Sequence, residues 1–540
     1  MKMKKILSIA LALTLAIGML AGCSGGVDET SADISAFVDT DETLSISWLG
    51  FPGLAGAVEG LPSELLIEDR FNVEITPIFA ENSNYNDKKN ALLQSGEIPD
   101  LIYEMDPMFH FADARDEYLL ELPYAAIKKY APSLYAQISE QGPAAWAYSY
   151  YEGKNYGMPN LNHSHVVNPT SMYRADWLKK VGKEVPTTLD ELHDVLYAFV
   201  NDDPDGNGKD DTYGYSLMST YYPYYFQEIF GAYGLLPFNW QEVDGEIIYG
   251  GLRPETETAL QLLADWYKDG IIYPAFVELD KNATDLFKSG KSGYHVSGGY
   301  LDETNKTSTV SVTKELNPKA EVISAAIVKG PDGKSGVGGW GYGAHTVAFG
   351  ANGEDAPKKA TRLLKMFETM YNDDELLKEI RIGKEGEVYT LVDENTKGKS
   401  VYAITPEYAA SGKLRLGGYE NNFAGATFWS PIAPSKELYT SMLSNAYKAY
   451  EAKFAEPYNL MTDVFYKVDI VPSAPTYLED LRNAQQALMA EIIKGEKPAD
   501  QYIEEFTKIW ESTGGPQLAS EAKEQQEILA EIYKKVGIEK

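Results

Sequence analysis

The chain has 540 residues, room for roughly three to four domains or fewer large ones, and its 44% apolar and 24% charged residues exclude general disorder. Its 48 Lys and Arg stand against 80 Asp and Glu, a net charge of −32 that repels a polyanionic duplex and so excludes nucleic acid as a partner. A single cysteine, Cys23, rules out an intrachain disulfide and any Cys-based zinc or iron–sulfur centre.

The first element in chain order is an export signal. Lys2, Lys4 and Lys5 precede an apolar run from Ile6 to Leu20, too short for a comfortable membrane span and suited to a signal peptide. The run ends in Leu20-Ala21-Gly22-Cys23, which resembles the lipobox of bacterial lipoproteins, where the cysteine is lipidated and becomes the new N-terminus. Residues 1–22 are then a signal peptide, and 23–43, rich in Gly, Ser, Thr and acid, a flexible tether. Two acyl chains on Cys23 suffice for stable anchoring to the cell membrane, and the body lies outside the cytoplasm.

The body opens with alternating strand and helix signals. Leu44 to Trp48 alternates apolar and polar, Ser63 to Phe71 suits a helix, and Val73 to Ile78 is β-branched. Asp87 to Gln94 reads as a helix and Leu101 to Tyr103 as a strand, so parallel pairing is expected, with ligands outside the carboxyl ends of the strands. Those ends carry Trp48 to Phe51 and Tyr103 to Asp106. Amphipathic helices follow at Ala175–Val181, Leu189–Val200 and Thr256–Asp269, then near the C-terminus at Tyr477–Lys494, Gln501–Ser512 and Ser520–Val536.

Several segments in this order carry a resemblance. Ser95-Gly96-Glu97-Ile98-Pro99-Asp100-Leu101-Ile102, Tyr156-Gly157-Met158-Pro159, and Tyr173-Arg174-Ala175-Asp176-Trp177-Leu178 with Val185-Pro186-Thr187-Thr188-Leu189 resemble blocks of extracellular solute-binding proteins of the maltose-binding type. Tyr267-Lys268-Asp269-Gly270, Gly330-Pro331-Asp332-Gly333-Lys334 and Gly495-Glu496-Lys497-Pro498 are similar to further blocks, the last two to those of its large lipoprotein branch. The resemblance implies a monomeric α/β protein with two discontinuous lobes joined by a hinge, binding a carbohydrate in the cleft and delivering it to the permease of an ABC importer. By that analogy lobe one is 44–165 plus 330–395, and lobe two 166–329 plus 396–540.

The sharpest local motif is Asp203-Pro204-Asp205-Gly206-Asn207-Gly208-Lys209-Asp210-Asp211. Asp203, Asp205, Asn207, the Lys209 carbonyl and Asp211 fall at alternate positions, and Gly208 is sixth, where an EF-hand loop turns sharply around calcium. Position twelve is Gly214, where a bidentate glutamate is standard. Some relatives in the polysaccharide-binding branch carry a similar loop, so the resemblance adds weight to structural calcium; the alternative is a solvated acidic turn.

Tyr outnumbers Phe 38 to 19, an excess that suits wet surfaces and polar ligands. Sugars offer flat C–H faces for aromatic stacking and hydroxyls for polar groups, so the candidate ligand residues are Trp48, Phe51, Tyr103, Glu104, Tyr221, Tyr222, Tyr300, Trp340, Tyr342 and Trp429. Tyr224, Tyr225 and Phe428 share the pattern, whereas Trp177, Trp266 and Trp510 lie on helix stripes that read as core. No HExxH, Gly-x-Ser-x-Gly or P-loop pattern occurs among these residues, so the chain reads as a binding protein with no catalytic residues. Accidental carboxylate pairs leave open a surface glycan-degrading enzyme with structural calcium, and a receptor lipoprotein that does not transport is a third reading.

Overall fold

The computed structural model describes residues 32–50, 59–161, 170–217, 222–278, 283–297, 308–339, 343–391, 402–411, 460–466 and 470–538. β1 (Leu44–Leu49), α1 (Pro62–Phe71), β2 (Val73–Ile78), α2 (Tyr85–Ser95) and β3 (Leu101–Glu104) alternate, followed by α3 (Pro107–Arg115). β1 pairs in parallel with both β2 and β3, the outcome a strand–helix–strand chain requires. Leu44, Ile46 and Trp48 point inward from β1 while Ser45 faces solvent, which is the period of two seen in the sequence.

The remaining named elements are β4 (Gly157–Leu161), β5 (Thr170–Arg174), α4 (Ala175–Val181), α5 (Leu189–Asn201), β6 (Tyr213–Ser216), α6 (Gln227–Ala232), β7 (Trp240–Val243), β8 (Glu246–Tyr249), α7 (Glu255–Lys268), β9 (Ser292–Ser297), β10 (Val322–Ala325), β11 (Val337–Gly339), β12 (Gly343–Phe349), α8 (Ala356–Asn372), β13 (Leu460–Thr462), α9 (Ala474–Ile493), α10 (Tyr502–Ser512) and α11 (Gly515–Val536). One sheet runs β2–β1–β3–β12–β4, with β12 antiparallel to both its neighbours. A second runs β10–β5–β9–β6, in which β5 is antiparallel to its neighbours and β9 parallel to β6. β11 and β13 form a short parallel pair between distant parts of the chain.

Helices cover the sheets because their apolar stripes need burial. α5 begins at Thr188, whose hydroxyl accepts from Glu191 N at 3.2 Å while Glu191 Oε2 accepts from Thr187 N at 2.8 Å. Trp177, Trp266 and Trp510 are buried, as their spacing predicts; the Trp510 ring lies 5.0 Å from Tyr249 and 6.1 Å from Trp240. α11 touches two distant regions: Val536 O accepts from Tyr135 OH at 3.0 Å, and Gln526 Nε2 donates to Gly245 O at 3.3 Å.

Part of the tyrosine excess is interior rather than wet. Tyr85, Tyr148 and Tyr249 are fully buried, and their hydroxyls donate to Tyr103 O at 2.5 Å, Phe465 O at 3.1 Å and Gln485 Oε1 at 3.1 Å. Each buries a large ring and satisfies a backbone or amide acceptor that a phenylalanine would leave bare. Among the described residues no helix is long and apolar enough to cross a membrane.

Candidate functional site

A hollow among the described residues is built around α6. Tyr222–Tyr224 makes one tight turn, and Phe226, at a left-handed φ of 48°, swings the chain into α6. The segment after α6 folds back because Gln241 Oε1 accepts from Leu236 N at 2.9 Å, and the β11–β13 pair brings Gly338 and Asp463 alongside. The result is a partly open hollow, its empty space of about 590 Å³ running out into solvent, lined by Tyr222, Tyr224, Tyr225 and Tyr466, by Gln227, Asn239 and Asp463, and by an apolar floor from Leu235 to Phe238.

Its polar groups are unevenly satisfied. Asp463 Oδ2 accepts from Trp240 N at 2.7 Å and Asn239 Nδ2 at 3.3 Å, and Oδ1 from Phe465 N at 2.8 Å. Burial nevertheless pushes the Asp463 carboxyl up to about 6, outweighing those donors. Tyr222 lies with its ring centroid 3.7 Å from the Arg482 guanidinium, whose Nη2 donates to Phe238 O at 3.1 Å, so the ring is held as a fixed wall. Gln227 is 5% exposed, and neither its amide nitrogen nor its amide oxygen has a hydrogen-bond partner among the described residues. The Tyr225 hydroxyl is likewise buried without one.

Of the residues singled out in the sequence, Tyr222 lines this hollow, joined by Tyr224 and Tyr225. Phe51, Tyr221, Tyr300, Trp340, Tyr342, Phe428, Trp429 and Cys23 lie outside the described residues. Trp48 and Tyr103 are not cleft platforms. Trp48 is 0% exposed and meets Phe367 of α8 edge-on at 6.3 Å, because the side of β1 that alternation turns inward is roofed by that helix. Tyr103 is buried between His345, 5.1 Å away, and Asn160, whose Nδ2 donates to its hydroxyl at 3.3 Å.

Glu104 is also no ligand contact. It is 1% exposed and grips the fully buried Lys89, whose Nζ lies 2.8 Å and 3.0 Å from its two oxygens and 2.6 Å from Asp113 Oδ2. Burial drives the Glu104 carboxyl up to about 8 against the pull of Lys89. His110 beside them is pushed down to about 3 by burial first and Lys89 second, so it is neutral. Gln227, Asn239, Asp463 and Tyr466 escape sequence reasoning; the one signal is that Gln227 and Glu228 interrupt an otherwise apolar run from Tyr225 to Phe230.

The acidic loop bends as its glycines allow. Gly208, sixth from Asp203, has φ 73°, and its N–H donates to the Asp203 carboxylate at 3.2 and 3.3 Å. Asn207 Nδ2 bridges Asp205 Oδ2 at 2.7 Å and Asp211 Oδ1 at 2.9 Å, and Lys291 Nζ holds Asp211 Oδ2 at 2.5 Å. Lys291 and Asn207 together keep the Asp211 carboxyl below the ordinary carboxylate range. Among the described residues no three His, Cys, Asp or Glu stand together as a metal-holding group. The twelfth position cannot carry a ligand: a Cβ on Gly214 would lie 2.8 Å from Leu196 Cβ and Leu196 O, so any side chain there collides with α5.

Under the second sheet lies another buried carboxyl. Glu228 Oε1 accepts from Tyr215 OH and from Tyr294 OH at 3.3 Å, Tyr294 OH meets Ser171 Oγ at 3.1 Å, and Glu228 Oε2 has no partner among the described residues. Burial pushes this carboxyl up to about 7.

A family model described as bacterial extracellular solute-binding protein matches residues 67–367. The polygalacturonan/rhamnogalacturonan-binding protein YtcQ of Bacillus subtilis is 27% identical over 378 residues, 68% of this chain and 71% of the relative. Lipoprotein LipO of the same organism is 28% identical over 394 residues, 71% of this chain and 74% of its own length. Among solved structures, the Streptococcus pneumoniae ABC-transporter substrate-binding protein FusA in complex with kestose superposes with a TM-score of 0.59 over 90% of this chain and 99% of that one, at 17% identity, which is a likeness of fold.

Proposed function

The chain belongs to the bacterial extracellular solute-binding protein family, and from that premise we propose that it captures an oligosaccharide outside the cytoplasmic membrane and delivers it to an ABC-type importer. The observation that carries the reading is the tyrosine-lined hollow with the bare Gln227 amide inside it. Rings offer faces to sugar C–H surfaces, and an unsatisfied buried amide needs hydroxyls to regain the bonds it lost on leaving water. YtcQ by its name and FusA by its bound kestose take carbohydrates, which supports the same class here. The reading keeps two lobes, 44–165 with 330–395 and 166–329 with 396–540, closing on sugar because only the closed state touches it from both sides.

A melting screen against an oligosaccharide panel tests it: a ligand at a hundredfold its Kd adds about 2.7 kcal/mol of stability. Sugars recovered intact fit a carrier; fragments would establish an enzyme instead. Tyr222→Ala is expected to weaken binding by on the order of 2 kcal/mol, as loss of an aromatic anchor does. Normal affinity in that variant, by calorimetry, would move the binding site elsewhere.

Lipid attachment at Cys23 is part of the proposal, supported by the lipobox-like segment and by a relative named as a lipoprotein. Cys23→Ser is expected to leave the protein in the medium or on an uncleaved signal. Membrane-bound protein processed after residue 22 would contradict lipidation.

Structural calcium in the acidic loop is the remaining element, carried by Asp203, Asp205, Asn207, the Lys209 carbonyl and Asp211. To hold the ion at about 2.3–2.6 Å, Asn207 must turn its oxygen inward and Lys291 must release Asp211. Chelation is then expected to lower the melting temperature reversibly, and Lys291→Ala to strengthen calcium binding by removing a competing cation. Identical melting curves with and without chelator speak for a self-satisfied acidic turn.

A further inference from the structure

We propose that the hollow beside α6 takes a neutral sugar residue and rejects a uronate, and that Gln227 is the side chain that reads its hydroxyls. This rests on the carbohydrate reading and narrows it. Among the described lining residues there is no lysine or arginine; the ionisable groups are four tyrosines and Asp463. The buried cation beside the hollow, Arg482, is stacked on Tyr222 and gives Nη2 to the Phe238 carbonyl, and the Asp463 charge acts on it. A uronate carboxylate entering here would lose its water, meet the Asp463 carboxyl, and find no lysine or arginine among the described lining to receive it. The chain's charge of −32 opposes a polyanionic chain before contact. A neutral sugar also gives up water at its hydroxyls but brings no charge to desolvate or to set against Asp463, and tyrosine faces and amides need no charge from it.

Gln227 is the reader because, among the described residues, it is the buried side-chain amide with both ends free. Its nitrogen can donate and its oxygen accept, so one sugar hydroxyl, or two on adjacent carbons, can satisfy it. Asn239 is already committed to Asp463. An amide left bare in the empty protein lowers folding stability and gains only on binding, which is the signature of a group kept for its ligand. The relative named for polygalacturonan therefore differs from this chain in the chemistry of its ligand.

Calorimetry on the full chain in detergent is the test. One arm uses neutral tri- to pentasaccharides of the fructo, gluco, xylo, galacto and manno series, the other oligogalacturonates of matched length. The expected result is binding to a neutral series with no response to oligogalacturonate. Binding of oligogalacturonate as tight as, or tighter than, every neutral series overturns the inference and leaves the carbohydrate reading standing. Silence in both arms overturns the carbohydrate reading itself. Gln227→Met, close in volume, should cut affinity for the neutral ligand tenfold or more while the melting temperature stays level or rises. Full affinity in that variant removes Gln227 from the role.

Discussion

Lys89→Met is expected to destabilise the protein by about 3–5 kcal/mol at neutral pH, as removal of one member of a buried ion cluster does. Lys89 has no exposed surface and is the cation bonded to both Glu104 and Asp113. Without it, two carboxyls face one another in a dry pocket with Lys89 no longer between them. The cation–π contact of Lys89 with Phe109, 5.4 Å from the ring centroid, is lost as well, a smaller effect. Denaturant midpoints of parent and variant at pH 7.5 measure the loss. Equal midpoints at pH 7.5 would mean the cluster contributes nothing. Sugar affinity of the folded variant, measured beside the midpoint, separates a strut from a sugar ligand at Glu104, because a strut moves the midpoint and leaves that affinity alone.

The fold was readable where a local pattern has a local cause. Alternation in Leu44–Leu49 and the stripes of Trp177, Trp266 and Trp510 need only neighbours within a few residues. The family-like motifs also proved architectural. Asp100 accepts from Ser47 N at 2.7 Å and Ser47 Oγ at 2.8 Å and pairs with Lys359 at 2.7 Å, while Arg174 forks onto Asp176 at 2.6 and 2.9 Å. The rings were not separable in the same way. Local sequence does not separate Trp48 from Tyr222; what distinguishes them is a partner far off in sequence: Phe367 closes over one, and Arg482 backs the other beside an open space. Glu104 stands at the end of its strand as expected, but its meaning depends on a lysine fifteen residues earlier that reaches it through the core.

Glu228→Gln is expected to stabilise the protein above pH 7 by on the order of 3 kcal/mol and to leave it nearly unchanged at pH 4. The groups facing Glu228 are Tyr215 from β6, Tyr294 from β9 and Tyr173 from β5, all uncharged at neutral pH, so no described cation offsets its desolvation. Its folded pKa is therefore raised, from 4.5 to about 7. Below 4.5 the acid is protonated folded or unfolded, and no penalty exists. Between the two values the folded protein keeps a proton that the unfolded chain has released, so stability falls as pH rises, by about 1.4 kcal/mol per unit. Above 7 the loss is complete. Glutamine keeps the oxygen that accepts from Tyr215 and Tyr294 and carries no charge, so this dependence disappears while the hydrogen bonds stay. Guanidinium midpoints of parent and variant from pH 4 to 8 should diverge upward through that window; parallel curves would show that Glu228 finds charge compensation in the folded state. Glu228 follows Gln227 directly, so the segment that offers an unsatisfied amide to the hollow also buries an unsatisfied carboxyl oxygen beneath it. Relieving either one should make the protein more stable, and only the change at Gln227 should weaken its hold on sugar.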